Sequence, residues 1–142
     1  MYRRTLIMTL SAFILSMSSF FANANTTDDE WNMLIKAISA VESGHNPKAV
    51  NGQYVGILQI GRGCVMECNK IVGHQKYTYN DRYNPEKSIE MFQLIQGKYN
   101  PDRDLEKAAR IWNGGPGSLK RPKCTDGYWN KVKRIMDNMR KA

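Results

Sequence analysis

Residues 42–60 read Glu42-Ser43-Gly44-His45-Asn46-Pro47-Lys48-Ala49-Val50-Asn51-Gly52-Gln53-Tyr54-Val55-Gly56-Ile57-Leu58-Gln59-Ile60. The backbone changes habit across this stretch. Ahead of it, Trp31, Leu34, Ile35, Ile38 and Val41 recur at helical spacing. Thr27, with Glu30 three positions later, reads as a capping box that opens the helix. Ser43-Gly44 stops it and Pro47 follows. Val50-Asn51-Gly52-Gln53 then reads as a tight turn between two short extended pieces, the second running to Ile60. Gly56 inside that run predicts close approach of another chain or a ligand.

Glu42 falls on the same stripe as Trp31, Ile35 and Ile38, in the last turn. A carboxylate partly desolvated at the negative end of a helix has a raised pKa. A carboxylic acid still protonated near neutral pH is what general acid catalysis needs. The plainer reading is a helix-end Glu that swings into solvent.

Further helices are predicted downstream. Cys64, Val65, Cys68, Ile71 and Val72 suggest a short one. Asn84-Pro85 starts the next, with Pro at the first helical position and Ile89, Phe92, Ile95 and Tyr99 on its inner face. Leu105, Ala108, Ala109 and Trp112 mark another, stopped by Asn113-Gly114-Gly115-Pro116-Gly117. Tyr128, Val132, Ile135, Met136 and Met139 mark the last. Residues 73–84 form a polar loop with Tyr77, Tyr79 and Tyr83, which either stack on sugar or base faces or pack on the core as a lid. The expected fold is mainly α, a compact helical domain with one small β-hairpin.

The chain has 142 residues, which suits one domain, and its 42% hydrophobic content excludes wholesale disorder. Twenty-one Lys and Arg against 13 Asp and Glu give a net charge of +8, which favours a polyanionic partner. The charge is scattered without long like-charge runs, so no nucleic-acid partner is expected.

Residues 1–24 read as a cleavable signal peptide: Arg3 and Arg4, an uncharged apolar core from Leu6 to Phe21, then Ala22-Asn23-Ala24. The working domain would be 25–142, acting in the periplasm or secreted, with no stable membrane anchor after cleavage. Disulfides are permitted there. Cys64, Cys68 and Cys124 allow at most one intramolecular bridge. A bridge from Cys64 or Cys68 to Cys124 would tie the C-terminal segment to the middle, and the choice between the two stays open. A zinc site with His45 or His74 fits no trusted ligand spacing, so no metal is expected.

Four segments together resemble the lytic transglycosylase domain family of the soluble type, which shares the lysozyme-like fold with goose-type lysozyme. They are Glu42–Val50, with Glu-Ser followed by Asn-Pro-x-Ala; Gly52–Ile60, with Gly-x-x-x-Gly-Ile-Leu-Gln-Ile; Ala109–Gly117, with Ala-x-x-x-Asn-x-Gly-Pro-Gly; and Tyr128, in the place of a late aromatic. The resemblance implies an active-site cleft flanked by the hairpin. It implies that Glu42 is the sole catalytic acid/base. The substrate would be peptidoglycan, cut between N-acetylmuramic acid and N-acetylglucosamine with a 1,6-anhydromuramoyl product and no cofactor.

Carried over by position, Ser43 would hold the Glu42 side chain or contact substrate. Gln59 and Asn113 would hydrogen-bond the sugar or its acetamido group, and Tyr128 would orient Glu42 or support the intermediate. The structural alternatives are a helix-end Ser, loop-bracing amides and a core tyrosine. Trp112 and the glycines at 114, 115 and 117 read as core and turn residues. Asn51 stands where the family often has Ser, and Trp112 where Tyr or Phe is common. The short segment from Ile60 to Asn84 implies a small or incomplete groove. The chain also resembles compact stand-alone members that serve secretion or conjugation machinery, and a monomer is expected.

Three competing functions follow. A lysozyme-like muramidase would use water as nucleophile on the same bond. A non-catalytic peptidoglycan-binding module would have no reason to keep a costly carboxylate at position 42. A membrane-active protein would use the basic last helix, with Lys131, Lys133, Arg134, Arg140 and Lys141 beside its apolar face.

Overall fold

A computed structural model describes residues 26–142. The signal-peptide reading of residues 1–24 lies outside the described residues. Among them are five α-helices and one two-stranded antiparallel ribbon: α1 Asp28–Ser43, β1 Val50–Asn51, β2 Tyr54–Val55, α2 Arg62–Val72, α3 Pro85–Tyr99, α4 Leu105–Gly114 and α5 Asp126–Lys141. The mainly helical expectation with one small hairpin holds.

Thr27 caps α1 by accepting from the Glu30 backbone N–H at 3.2 Å. The reciprocal half of the capping box is replaced by an ion pair, because the Glu30 carboxylate faces Arg140 of α5 at 3.4 Å. Gly44, left-handed at φ 60°, ends α1 as its sequence predicts. Asn84 caps α3 and Asp104 caps α4, each through its side-chain oxygen.

The core gathers Leu34, Ile35 and Ile38 of α1, Leu58 and Ile60 after the hairpin, Val65 and Cys68 of α2, Met91 and Phe92 of α3, Ala108 and Ala109 of α4, and Val132 and Met136 of α5. The first and last helices pack on each other, α4 lies against both, and α2 lies against α3. The apolar face of α5 is therefore spent on α1 and α4 rather than left for a membrane. No helix among the described residues is long and apolar enough to cross one.

The hairpin differs in detail from the expected run. Val50 pairs with Val55 and Asn51 with Tyr54, so Val50 and Asn51 are strand and only Gly52-Gln53 turn. Residues after Val55 curl back, and Ile60 bridges Val55. Gly56 makes that curl possible. It sits at φ 82°, and a Cβ there would lie 1.9 Å from the Arg82 carbonyl oxygen. The close approach at Gly56 is made by this chain's own backbone, in the loop before α3.

That loop is anchored by Arg82, which is almost fully buried. Its Nε donates to the Tyr79 carbonyl at 2.7 Å, and Nη1 donates to Gln53 at 3.0 Å and Ile60 at 3.1 Å. The three tyrosines divide. Tyr77 is core, with its hydroxyl donating to Glu90 at 3.0 Å, whereas Tyr79 and Tyr83 stay exposed. None of the three lines the cleft described below.

Candidate active site

A cleft of about 800 Å³ opens between the end of α1, the hairpin, α2 and the C-terminal end of α4. One wall carries Asn51, Gln53, Tyr54, Gln59 and Ile60. A second carries Gly61, Gly63, Cys64 and Glu67, with Ile95 and Tyr99 of α3 beside them. The third carries Ile111, Trp112, Asn113, Gly115 and Pro116, and Glu42 lies on the surface they enclose. This volume is ordinary for a ligand site. Of the short 60–84 segment, α2 supplies Gly63, Cys64 and Glu67 to one wall of this cleft.

Glu42 is half-buried in the last turn of α1. Tyr128 of α5 donates from its hydroxyl to Glu42 Oε1 at 2.7 Å. Burial pushes the Glu42 carboxyl above its ordinary value, and the Tyr128 bond draws it partly back. Burial beside the Glu42 charge pushes the Tyr128 phenol upward too, so the tyrosine stays a donor. Tyr128 does not line the cleft; it holds the carboxyl from the protein side.

Ser43 is placed differently from a substrate contact. Its hydroxyl donates to the Ile57 carbonyl at 2.8 Å and accepts from the Asn46 N–H at 3.1 Å. It bonds neither Glu42 nor the cleft space, and instead ties the end of α1 to the curl after β2. That tie fixes where Glu42 faces.

Gln59 lines the cleft in a left-handed backbone conformation, φ 50°. Its Nε2 donates to Gly56 at 2.9 Å and to Ala49 at 3.3 Å, which holds this strained residue in place. Its amide oxygen has no hydrogen-bond partner among the described residues, so Gln59 both braces the loop and offers an acceptor. Asn113 is exposed on the opposite wall and its side chain is free of such bonds among the described residues. Trp112 is core and wall at once. Its ring meets Phe92 edge-on at 5.0 Å, and its Nε1 donates to the Leu58 carbonyl at 3.1 Å. Gly115 caps α4, and Gly114 is packed so tightly that a Cβ would lie 2.7 Å from that of Ser118.

Two acidic residues near the motifs in sequence have separate fates. Asp81 caps the turn at Thr78, with Oδ2 accepting from its backbone N–H at 2.7 Å, and does not line the cleft. Glu67 does line it, paired to Lys98 and accepting from the Tyr99 hydroxyl at 2.7 Å. Glu67 lies in no motif of the resemblance; with Asp81 it is one of the two nearest candidates in sequence for a second acid.

All three cysteines are free thiols. Cys124 is exposed, while Cys64 and Cys68 neighbour each other on α2, so the bridge to Cys124 is not made. No cluster of three or more His, Cys, Asp or Glu among the described residues could hold a metal.

Neither the comparison with curated proteins nor that with solved structures gives a match. The family model for the transglycosylase SLT domain matches residues 19–134. That match spans the Glu42 helix, the hairpin, the Asn113 turn and Tyr128, so the chain belongs to the transglycosylase SLT domain family, whose general activity is peptidoglycan degradation by lytic transglycosylases.

Proposed function

We propose that this chain cleaves the bond between N-acetylmuramic acid and N-acetylglucosamine as a lytic transglycosylase, with Glu42 as its one acid/base. Protonated Glu42 gives its proton to the leaving glycosidic oxygen as the bond to C1 breaks. The carboxylate so formed takes the proton of the muramoyl 6-hydroxyl, whose oxygen closes on C1. The product is the 1,6-anhydro sugar, Glu42 ends protonated, and no water is consumed. One carboxyl suffices because the nucleophile is tethered to the substrate.

The observation that carries this reading is the Glu42 carboxyl, desolvated on a cleft wall and held by Tyr128 at 2.7 Å. No neighbouring carboxylate contributes to its shift, as it would in a coupled pair. Gln59 and Asn113 are proposed to hydrogen-bond the acetamido groups and hydroxyls of the strand.

The leader-like residues 1–24 support action in the periplasm or outside the cell. A compact domain of this kind suits local wall opening for secretion or conjugation machinery. The deciding experiment is mass spectrometry of purified peptidoglycan digested with the protein and with Glu42→Gln. Anhydromuropeptides from the unaltered protein alone support the proposal. Reducing-end sugars would assign a muramidase instead, and no release from either would assign a binding role.

A further inference from the structure

We infer that Glu67 is a glycan-positioning residue, with its free carboxylate oxygen Oε2 accepting a hydrogen bond from a sugar bound along the α2 wall. The inference rests on the proposed glycan substrate and concerns a part of the cleft distinct from the reacting carboxyl.

Three observations carry it. Glu67 lines the same cleft as Glu42 but stands on a different element, α2. Lys98 Nζ and the Tyr99 hydroxyl both bond Oε1, and Oε2 has no hydrogen-bond partner among the described residues. The carboxylate is thus fixed by two donors from α3 while one oxygen is left to spare. Those donors also hold its pKa below the ordinary carboxylate value, the opposite direction to Glu42.

The occupant follows from charge and shape. Lys98 already neutralises Glu67, so the pair does not attract a cation. It presents a directional acceptor, and charge-assisted acceptors bind neutral O–H and N–H donors well. Tyr99 and Ile95 supply an apolar surface beside it, and Tyr54 stands at the rim about half exposed. A fixed acceptor next to aromatic and aliphatic surface suits a pyranose ring bearing hydroxyl and acetamido donors.

Binding to the Glu42→Gln protein separates this inference from the chemistry, since no bond need break. The probe is a peptide-free hexamer of N-acetylglucosamine, with a stem-peptide-bearing glycan fragment as the second arm. Adding Glu67→Ala should weaken hexamer binding about tenfold, as expected for losing one hydrogen bond to a charged group. Adding Glu67→Gln should weaken it to a similar extent, because the single amide oxygen stays with Tyr99 and the NH2 group at the Oε2 position donates where the sugar needs an acceptor. In the chain with Glu42 intact, Glu67→Ala should raise KM about tenfold with kcat within about twofold.

Unchanged hexamer affinity in a folded Glu67→Ala protein would overturn the inference, as would absence of hexamer binding altogether. A loss confined to the stem-bearing fragment would move the donor to the peptide and overturn the sugar assignment. Glu67-dependent binding without anhydro product would leave this inference standing and sink the transglycosylase reading. Anhydro product with Glu67-independent binding would do the reverse.

Discussion

The Tyr128 hydroxyl lies 2.7 Å from Glu42 Oε1, joining the last helix to the end of the first across 86 positions of sequence. The bond does two things with opposite signs. It orients the carboxyl toward the cleft, and it favours the ionised form against a burial that favours the protonated one. Tyr128→Phe keeps the packing and removes the bond. The expected result is a roughly tenfold fall in kcat/KM, from loss of about 1.5 kcal/mol of charge-assisted bonding. The alkaline limb of the pH–rate profile should also move to higher pH. A loss of rate with an unmoved limb would count against this role.

Glu42→Gln should abolish measurable turnover, a fall of roughly a hundred- to ten-thousand-fold for loss of a general acid. The fold should survive, because the amide replaces a carboxyl that burial disfavours when charged. Thermal unfolding at neutral pH should come at the same or a higher temperature than for the unaltered protein.

Activity should decline as pH rises through the folded pKa of Glu42, because the acid form disappears there. Stability should follow the same direction. The folded carboxyl holds its proton more tightly than the unfolded one, so the protein gains on folding below that folded pKa and loses the gain as pH rises through it. Urea midpoints measured from below the ordinary glutamate value of 4.5 upward should fall until the folded pKa is passed in the unaltered protein, and be flatter in Glu42→Gln.

Gly56→Ala should be among the most damaging single substitutions. The added methyl meets the Arg82 carbonyl at 1.9 Å, and the φ of 82° is itself unfavourable for alanine. A destabilisation of about 2–5 kcal/mol is expected from strain plus overpacking. Equilibrium unfolding in urea measures it, and Arg82→Lys should weaken the same junction by removing carbonyl contacts at Gln53 or Ile60.

The cysteines should react in order of exposure. Under native conditions a thiol reagent should modify Cys124 quickly, Cys64 slowly and Cys68 only on unfolding. The hydrogen bond with Cys68, and then burial, raise the Cys64 thiol, which slows it further. Mass spectrometry of labelled peptides over time decides it; fast labelling of Cys68 would contradict the packing of α2.

The helices were legible because their signals are local. Thr27, Asn84 and Gly44 mark ends by what they do to adjacent backbone groups, and the apolar stripes follow a fixed period. The cleft was legible only in part. Glu42 stood out because a carboxylate interrupts a stripe, whereas its meeting with Tyr128 came from resemblance. The partners of Ser43, Arg82 and Glu67 were not legible, for one common reason. Each of these side chains acts on a carbonyl or hydroxyl many residues away, at Ile57, at Gln53 and Ile60, or at Tyr99, and nothing periodic marks such partners. The polar loop that hides Arg82 reads as surface until its backbone is seen pressing on Gly56.

The packing of α1 on α5 also sets an order in time. A ribosome working at about 5–20 residues per second makes Tyr128 roughly 4–17 s after Glu42. Throughout that interval the carboxyl exists without its donor, in a chain whose last helix has yet to dock. Under the proposed mechanism, competence therefore arrives with the final segment, and a chain interrupted before it would carry Glu42 without the donor that aims it.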